Sequence, residues 1–456
     1  MRRMICVAAM VLGMCGGVWA LPPEEAQKLY ERVQGSLVAV QYTMEGEYGR
    51  REFTGLGVVV GEEGVVVTPL ALFPTGLPDE QMKGFKIILP GDEEQEVAAV
   101  FLGRDERSEL AFLKTKEKQK WVAIQFEDAV VKVAEQVVSV GLLPKEAGFK
   151  AFYAEAMVSA VLRGPIPQVL VSPGGLAGVG SPVFNAEGKA IGLVPFQARQ
   201  SILLMGNAED LQAVTSPPRL FVPARDFLAS LADPPTGKPL AIPWLGAQLT
   251  GPSKEVAEYY NLKGVPVAMV GDVIPDAPAA KAGMKQGDKV IKLNGLGLER
   301  GDEPAETPQI LVRKLRRMKV GEVVKLTVLR GKGQPESEVS VVLEEQPKGA
   351  NLAKRFYAED LGVSVREVVF SDTYVKRLPA NTKGVVVAYV RQASATATAG
   401  LKIGDFVKEL NSVPVEGLGE FKSQYLEFRK SSPKDVVVWV VVREGGTQVI
   451  KVEPPQ

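Results

Sequence analysis

The feature that most restricts this chain is an internal repeat. Ala282-Gly283-Met284-Lys285-Gln286-Gly287-Asp288, with Asn294 six residues on, returns as Ala399-Gly400-Leu401-Lys402-Ile403-Gly404-Asp405, with Asn411 six residues on. A Leu-Gly pair lies upstream of each, Leu245-Gly246 and Leu361-Gly362, so both landmarks recur at an offset of 116 to 117 residues. Solenoid units repeat every 20–50 residues or so and cannot bury a core alone; a unit of this size is a duplicated domain. In the first copy the turn-forming Gly and Asp residues run into 290–293, Val-Ile-Lys-Leu, which reads as a strand.

The chain ahead of the repeat has a different texture. After an amphipathic opening at 23–33 that predicts a helix, β-type runs at 36–41, 57–60, 64–68, 85–89, 97–102, 109–114, 136–141, 168–172 and 190–194 are broken by Gly, Pro and acidic clusters. Short strands at such close spacing predict an antiparallel sandwich or barrel. Two Pro-rich stretches read as linker, Thr215-Ser216-Pro217-Pro218 and then Asp233-Pro234-Pro235-Thr236-Gly237-Lys238-Pro239. The expected organisation is a leader at 1–20, a β domain at 21–232, a linker at 233–240, a first repeat domain at 241–346, a linker at 347–355 and a second repeat domain at 356–456.

Composition closes off whole classes of chemistry. The 456 residues include no His and only two Cys. A Ser-His-Asp or Cys-His apparatus cannot be assembled from this chain alone. Histidine-containing metal sites go with it, and two thiols fall short of a four-thiolate site, so neither metal nor cofactor is expected. Lys+Arg 54 against Asp+Glu 54, with 7% aromatic residues, argues against nucleic acid as a partner.

Residues 1–20 have the three parts of a secretory signal: Arg2 and Arg3, an apolar run, and a small-residue exit at Val18-Trp19-Ala20. A lipoprotein alternative attaches to Cys15, with Leu12 three residues before it and the bulky Met14 against it. Both thiols, Cys6 and Cys15, fall in this leader, and losing Arg2 and Arg3 leaves 52 basic against 54 acidic side chains. The expectation is a nearly neutral, thiol-free protein in the periplasm or outside the cell. No later run is apolar for 18 residues, so no membrane span is expected after cleavage.

The A-G-(x)3-G-D-(x)5-N spacing resembles the PDZ module as it follows bacterial HtrA/DegP-type serine peptidase domains. The resemblance implies that an extended peptide C-terminus is bound by strand addition. It places the carboxylate-binding loop at Trp244, Leu245, Gly246 and Ala247 in the first module, and at Asp360, Leu361, Gly362 and Val363 in the second. Related first modules often carry Arg where this chain has Ile242, and Asp360 sets a negative charge beside the second loop.

Residues 29–194 are similar to the trypsin-like domain of the same family. Gly55 to Val60 and Gly64 to Thr68 resemble the hairpin that leads to the family's histidine, which falls on Ala71. Glu109-Leu110-Ala111-Phe112-Leu113-Lys114 resembles the D-L-A segment, with Glu109 at the aspartate. Ala177-Gly178-Val179-Gly180-Ser181-Pro182 resembles G-N-S-G-G-P, with Val179 at the serine. The implied fold is mainly β: a trypsin-like double β-barrel followed by two PDZ domains, α+β and partly open barrels.

With Ala71, Glu109 and Val179 at the triad positions, the expectation is a catalytically inactive, exported binder of polypeptide C-termini or unfolded segments, and not an enzyme. Two alternatives stay open. One is an active serine-type endopeptidase that uses non-standard residues, such as Ser181 with a lysine base, or is completed by a partner chain. The other is an oligomerisation scaffold, a homo-trimer built through 23–33 or an assembly with related chains.

Overall fold

The computed structural model describes residues 21–453 apart from 75–77, 92–94, 118–119, 196–216, 239 and 380. The expected leader with Cys6 and Cys15, and Thr215, Ser216 and Pro239 of the expected linkers, lie outside the described residues.

Helix α1 (Pro23–Gln34) begins with Pro in its first turn, followed by Glu24 and Glu25, and has Arg32 in its last, the charge order a helix dipole favours. It buries Leu29 and Val33. The Tyr30 hydroxyl donates to Ala151 O at 2.9 Å and Arg32 to Gly188 O at 2.7 Å, which seat the helix on this chain's own second barrel.

Strands β1 (Leu37–Gly46), β2 (Gly49–Gly61), β3 (Val65–Pro69), β4 (Met82–Leu89), β5 (Gln95–Asp105) and β6 (Leu110–Thr115) close one barrel. Strands β7 (Gln136–Leu142), β8 (Ala151–Leu162), β9 (Gln168–Gly174), β10 (Pro182–Asn185), β11 (Ala190–Leu193) and β12 (Leu220–Pro223) close a second, and α2 (Leu228–Ala232) follows. Side chains alternate across each strand, so the two faces of β1 serve two cores. Val38, Val40 and Tyr42 fill the first barrel, while Leu37 and Ala39 join Val138, Val140 and Phe184 in the layer between the barrels.

Three of these strands, β8, β10 and β12, have no counterpart among the runs read from sequence. Strand β12 also corrects the reading of a linker at Pro217-Pro218. Pro218 O accepts the Leu176 N–H at 2.8 Å, and the strand just after it pairs with β9 and β11 to shut the barrel.

The first repeat domain contains β13 (Pro243–Trp244), β14 (Ala247–Thr250), α3 (Lys254–Tyr259), β15 (Ala268–Val273), α4 (Pro278–Lys281), β16 (Lys289–Leu293), β17 (Leu296–Gly297), α5 (Thr307–Arg316), β18 (Val323–Leu329), β19 (Ser337–Val342) and β20 (Glu344–Glu345). Its sheet runs β14-β15-β16-β18-β19, which leaves β14 on an edge, and β13 pairs with β20.

The second contains β21 (Arg355–Ala358), β22 (Val363–Glu367), α6 (Phe370–Val375), β23 (Val385–Val390), α7 (Ala395–Thr398), β24 (Phe406–Leu410), β25 (Val413–Pro414), α8 (Leu418–Ser431), β26 (Val437–Arg443) and β27 (Gly446–Val452). Here the sheet runs β21-β22-β23-β24-β26-β27.

The repeated motif does the same work twice. Asp288 accepts the Lys285 N–H at 3.0 Å and Asp405 accepts the Lys402 N–H at 2.8 Å, closing the turn before the strand. Asn294 Oδ1 accepts the Lys325 N–H and Asn411 Oδ1 the Val438 N–H, each at 2.8 Å, pinning the strand's far end.

The domains are clamped by charge. Arg313 and Arg317, on and just after α5, hold Asp226, and Arg316 reaches Glu106 at 2.7 Å. Arg355 of β21 pairs with Glu47, in the turn between β1 and β2, at 2.8 Å, with both side chains buried. Between the repeat domains, Tyr374 donates to Asp272 at 2.7 Å.

Candidate functional site

Glu109 sits in the turn that enters β6, with φ of 57°, a region that side-chain-bearing residues seldom occupy. Its carbonyl accepts the Leu70 N–H at 2.8 Å, which ties it to the turn Leu70–Leu72 that carries Ala71. Ala71 and Glu109 line a cavity of about 390 Å³ between the barrels, together with Thr68, Gln168, Gly180 and Phe227. Val179 turns its side chain into the protein and reaches the cavity only through its neighbour Gly180. The three positions singled out in the sequence thus converge on one cleft, two of them directly.

The loop before β10 is tightly committed. The Ala177 N–H donates to Ser139 Oγ at 2.6 Å, that of Gly180 to Val194 O at 2.9 Å, and that of Ser181 to Gly178 O at 3.1 Å. Ser181 is fully buried, and its hydroxyl makes no hydrogen bond among the described residues. It does not line the cleft, and a Cβ on Gly141 would meet its Oγ at 2.6 Å, so it fills a tight space behind the loop.

Burial pushes the Glu109 carboxyl above the usual carboxylate range; Arg313 of the first repeat domain pulls it back, and Asp226 adds to the rise. A second cavity, of about 260 Å³, shares Glu109 and Ile166 with the cleft; Glu106 and Arg107 of the barrel, Leu249 of β14 and residues of α5 from Pro308 to Arg316 line the rest. The barrel cleft and the groove between β14 and α5 therefore adjoin at Glu109.

At the head of β14, Leu245 is buried and Gly246 has φ of 74°; a Cβ there would come within 2.3 Å of Ala277 Cβ. No acceptor faces the Gly246 N–H among the described residues, and β14 offers an unpaired edge to the groove. Ala247 opens that strand opposite Val273. Trp244 is turned elsewhere: it pairs with Glu344 and packs edge-on against Phe370 at 6.0 Å.

The second groove is not open. Strand β21 folds back along β22, with Arg355 opposite Arg366, Phe356 opposite Val365, Tyr357 opposite Ser364 and Ala358 opposite Val363. The Gly362 N–H is taken by Ala358 O at 2.9 Å. Leu361 is fully buried, and Asp360 accepts the Tyr425 hydroxyl and pairs with Arg429 at 3.0 Å, which offsets the charge that made it look unfavourable. No sequence signal singled out Phe356, Tyr357 or Arg355, because they precede the repeated motif.

A family described as trypsin-like peptidase domain matches residues 55–193, and one described as PDZ domain matches residues 243–341 and again 359–453. A probable periplasmic serine endoprotease DegP-like of Brucella suis biovar 1 is 27% identical over 392 residues, which is 84% of this chain and 70% of that protein. The chain is a homologue of the DegP/HtrA serine endoproteases. A DegP-like protein of Hahella chejuensis is 27% identical over 417 residues, covering 87% and 79% of the two chains. The HtrA-type protease AlgW, solved with a decapeptide, superposes with a TM-score of 0.53 at 16% identity, over 71% of this chain and 99% of its own, and shares the fold.

These relatives correct one expectation outright. The reading that this homologue is not an enzyme fails against relatives that match more than four fifths of the chain and are named serine endoproteases. Its physical fault is a step too long. Lacking histidine removes one way of activating a nucleophile, whereas hydrolysis of a peptide bond asks only for an activated nucleophile and a proton carrier of whatever kind. The relatives are named periplasmic, and no helix of the described residues is long and apolar enough to cross a membrane.

Proposed function

We propose that the chain is an exported, polypeptide-processing member of the DegP-like class. The first PDZ domain takes the C-terminal segment of a client along the edge of β14. The client's upstream stretch enters the cleft between the barrels, where its peptide bond is hydrolysed without imidazole.

The observation that carries this reading is the junction at Glu109 and Ile166, shared by groove and cleft. A peptide added antiparallel to β14 has its C-terminus at Gly246 and runs upstream toward Leu249, the end that meets the junction. Glu109 is the group assigned to proton transfer: it takes a proton from a water as that oxygen bonds to the carbonyl carbon and gives it to the leaving amine as the C–N bond breaks. Its raised pKa is the direction such an acid-base group needs, and Arg313 arriving from the PDZ domain opposes the rise.

The test incubates the mature chain, prepared from a host stripped of its own extracytoplasmic peptidases, with unfolded casein. Fragments are expected, insensitive to fluorophosphonate, and Glu109→Gln is expected to slow them by at least about a hundredfold, the usual scale of general acid-base catalysis. Intact casein with the parent chain overturns the hydrolytic assignment, and equal rates in the variant overturn the role given to Glu109.

A further inference from the structure

The second PDZ domain is laid out as though a peptide were already bound. A strand added to a PDZ-type groove runs antiparallel to the strand after the Leu-Gly loop, sets alternate side chains toward the facing helix, and presents its terminal oxygen to loop N–H groups. Each of these places is filled by Arg355–Ala358. The segment runs antiparallel to β22 over four residue pairs. Phe356 packs edge-on against Phe421 at 6.2 Å and Tyr425 at 5.8 Å, both on α8. Ala358, two residues on and on the same face, is buried in the domain core. Its carbonyl oxygen receives the Gly362 N–H at 2.9 Å, where an open loop would receive a carboxylate.

The out-facing residues fasten this strand from the other side. Arg355 is paired with Glu47 of the first barrel, and Tyr357 meets Tyr389, which also packs against Tyr48. The matched PDZ span begins at 359, so the filling strand lies just ahead of the module itself.

We propose that the second PDZ domain is a peptide site closed in cis by Arg355–Ala358. The ligand it takes when that strand leaves is an extended peptide with a small C-terminal residue, in the Ala358 place, and an aromatic residue two positions earlier, in the Phe356 place. The Arg355–Glu47 pair is the latch, because a strand leaving the groove must also leave the barrel. This inference is independent of whether the barrel cleft hydrolyses anything.

The experiment measures fluorescence anisotropy of a labelled Gly-Gly-Arg-Phe-Tyr-Ala peptide with a free carboxylate, against the full mature chain carrying Gly246→Ala to silence the first groove. A groove closed about nine-tenths of the time weakens apparent affinity about tenfold, so Phe356→Ala, which strips the resident strand of its anchor, should tighten binding by up to about that factor. The same peptide with a C-terminal amide, or with its Phe replaced by Ala, should lose the gain. Hydrogen exchange at the β21 amides bonded to β22, within 355–358, should be slow in the parent and fast in the variant, while β26 and β27 stay protected in both. If those two strands lose protection, Glu47→Gln takes the place of Phe356→Ala, since it frees the latch and leaves the packing of Phe356 intact. Unchanged affinity in a folded variant, equal binding of the amidated peptide, or β21 amides at 355–358 that already exchange fast in the parent would each overturn the proposal.

Discussion

The two PDZ domains share a motif, a Leu-Gly loop and the hydrogen bonds that hold the motif, and yet among the described residues one groove is open and the other filled. The difference lies in what the chain does just before Leu-Gly. In the first domain two residues separate β13 from β14, and β13 runs off to pair with β20; its Pro243 has no N–H to give to a neighbouring strand. In the second, four residues, 359–362, separate β21 from β22, enough for a hairpin turn, and every residue of Arg355–Ala358 can donate. The motif builds the groove, and the segment ahead of it decides who occupies it.

The largest expected effect breaks the comparison at the helix that forms each groove's far wall. Phe421 of α8 is fully buried, lies against Trp439 at 5.2 Å and supports Phe356. Phe421→Ala should cost the second domain about 3–5 kcal/mol, the range for a buried Phe. Its helix also loses hold of β21. Leu311→Ala, on α5 of the first domain, should cost about 2–5 kcal/mol without changing groove occupancy, because no strand of the described residues rests there. Denaturant unfolding followed by Trp439 emission reads the first loss, and hydrogen exchange at 355–358 reads the second consequence. Equal exchange of that segment in parent and Phe421→Ala would mean the strand is held by the barrel alone.

A smaller effect separates the two loops. Gly246→Ala puts a Cβ 2.3 Å from Ala277 Cβ at φ of 74°. The backbone strain alone is about 1–2 kcal/mol, so capture of C-terminal peptides should fall at least about tenfold. Gly362→Ala meets Ser394 Cβ at 2.7 Å and is strained to a similar degree, yet it should leave capture by the full chain unchanged, since its groove is filled. Loss of binding in both variants would show that the second groove is open in solution.

Much of this was legible in the residues. The offset between Gly246 and Gly362, and between Asp288 and Asp405, located two copies of one domain, because turn closure and strand pinning demand particular residues at particular spacings. The double barrel was legible from alternating β-type runs and from the segments around Ala71, Glu109 and Val179. Strands β8, β10 and β12 were missed for a different reason. Ala151–Leu162 mixes Glu155 and four alanines into a strand set by its long pairing with β7 and β9, and β10 and β12 are four residues each, too short to show a period. The filled second groove was beyond reach as well. Arg355-Phe356-Tyr357-Ala358 reads as an ordinary amphipathic run, and only pairing with β22 and the Arg355–Glu47 contact, 308 residues apart, give it meaning. The reading of no enzyme erred in the opposite way, by asking one absent residue type to decide a reaction class.

The smallest expected difference between the domains is their response to acid. Asp372 starts α6 of the second domain; burial would raise its carboxyl, but Arg366, with hydrogen bonds of 2.6 and 2.7 Å, and the Val369 N–H more than reverse that and hold it below the usual range. Glu367 behaves alike: burial raises it, and Lys348 with the Lys354 N–H more than reverses that and holds it below the usual range. A carboxylate depressed in the folded state stabilises it above the unfolded-state pKa of about 4, and that contribution fades as pH falls through the depressed folded value. In the first domain the helix opening at the matching place is capped by Ser253, and Glu255 in its first turn, held below the usual range by that hydroxyl and by its own backbone N–H, is fully exposed and has no arginine partner of the Arg366 kind among the described ion pairs. Urea midpoints taken at pH 7, 4 and 3 should therefore fall further for the second domain, read by Trp439, than for the first, read by exchange at β16 and β18. Asp372→Asn should remove part of that difference by making the Arg366 contact independent of pH. If both domains lose stability in parallel, the depressed carboxylates Asp372 and Glu367 are not what distinguishes them.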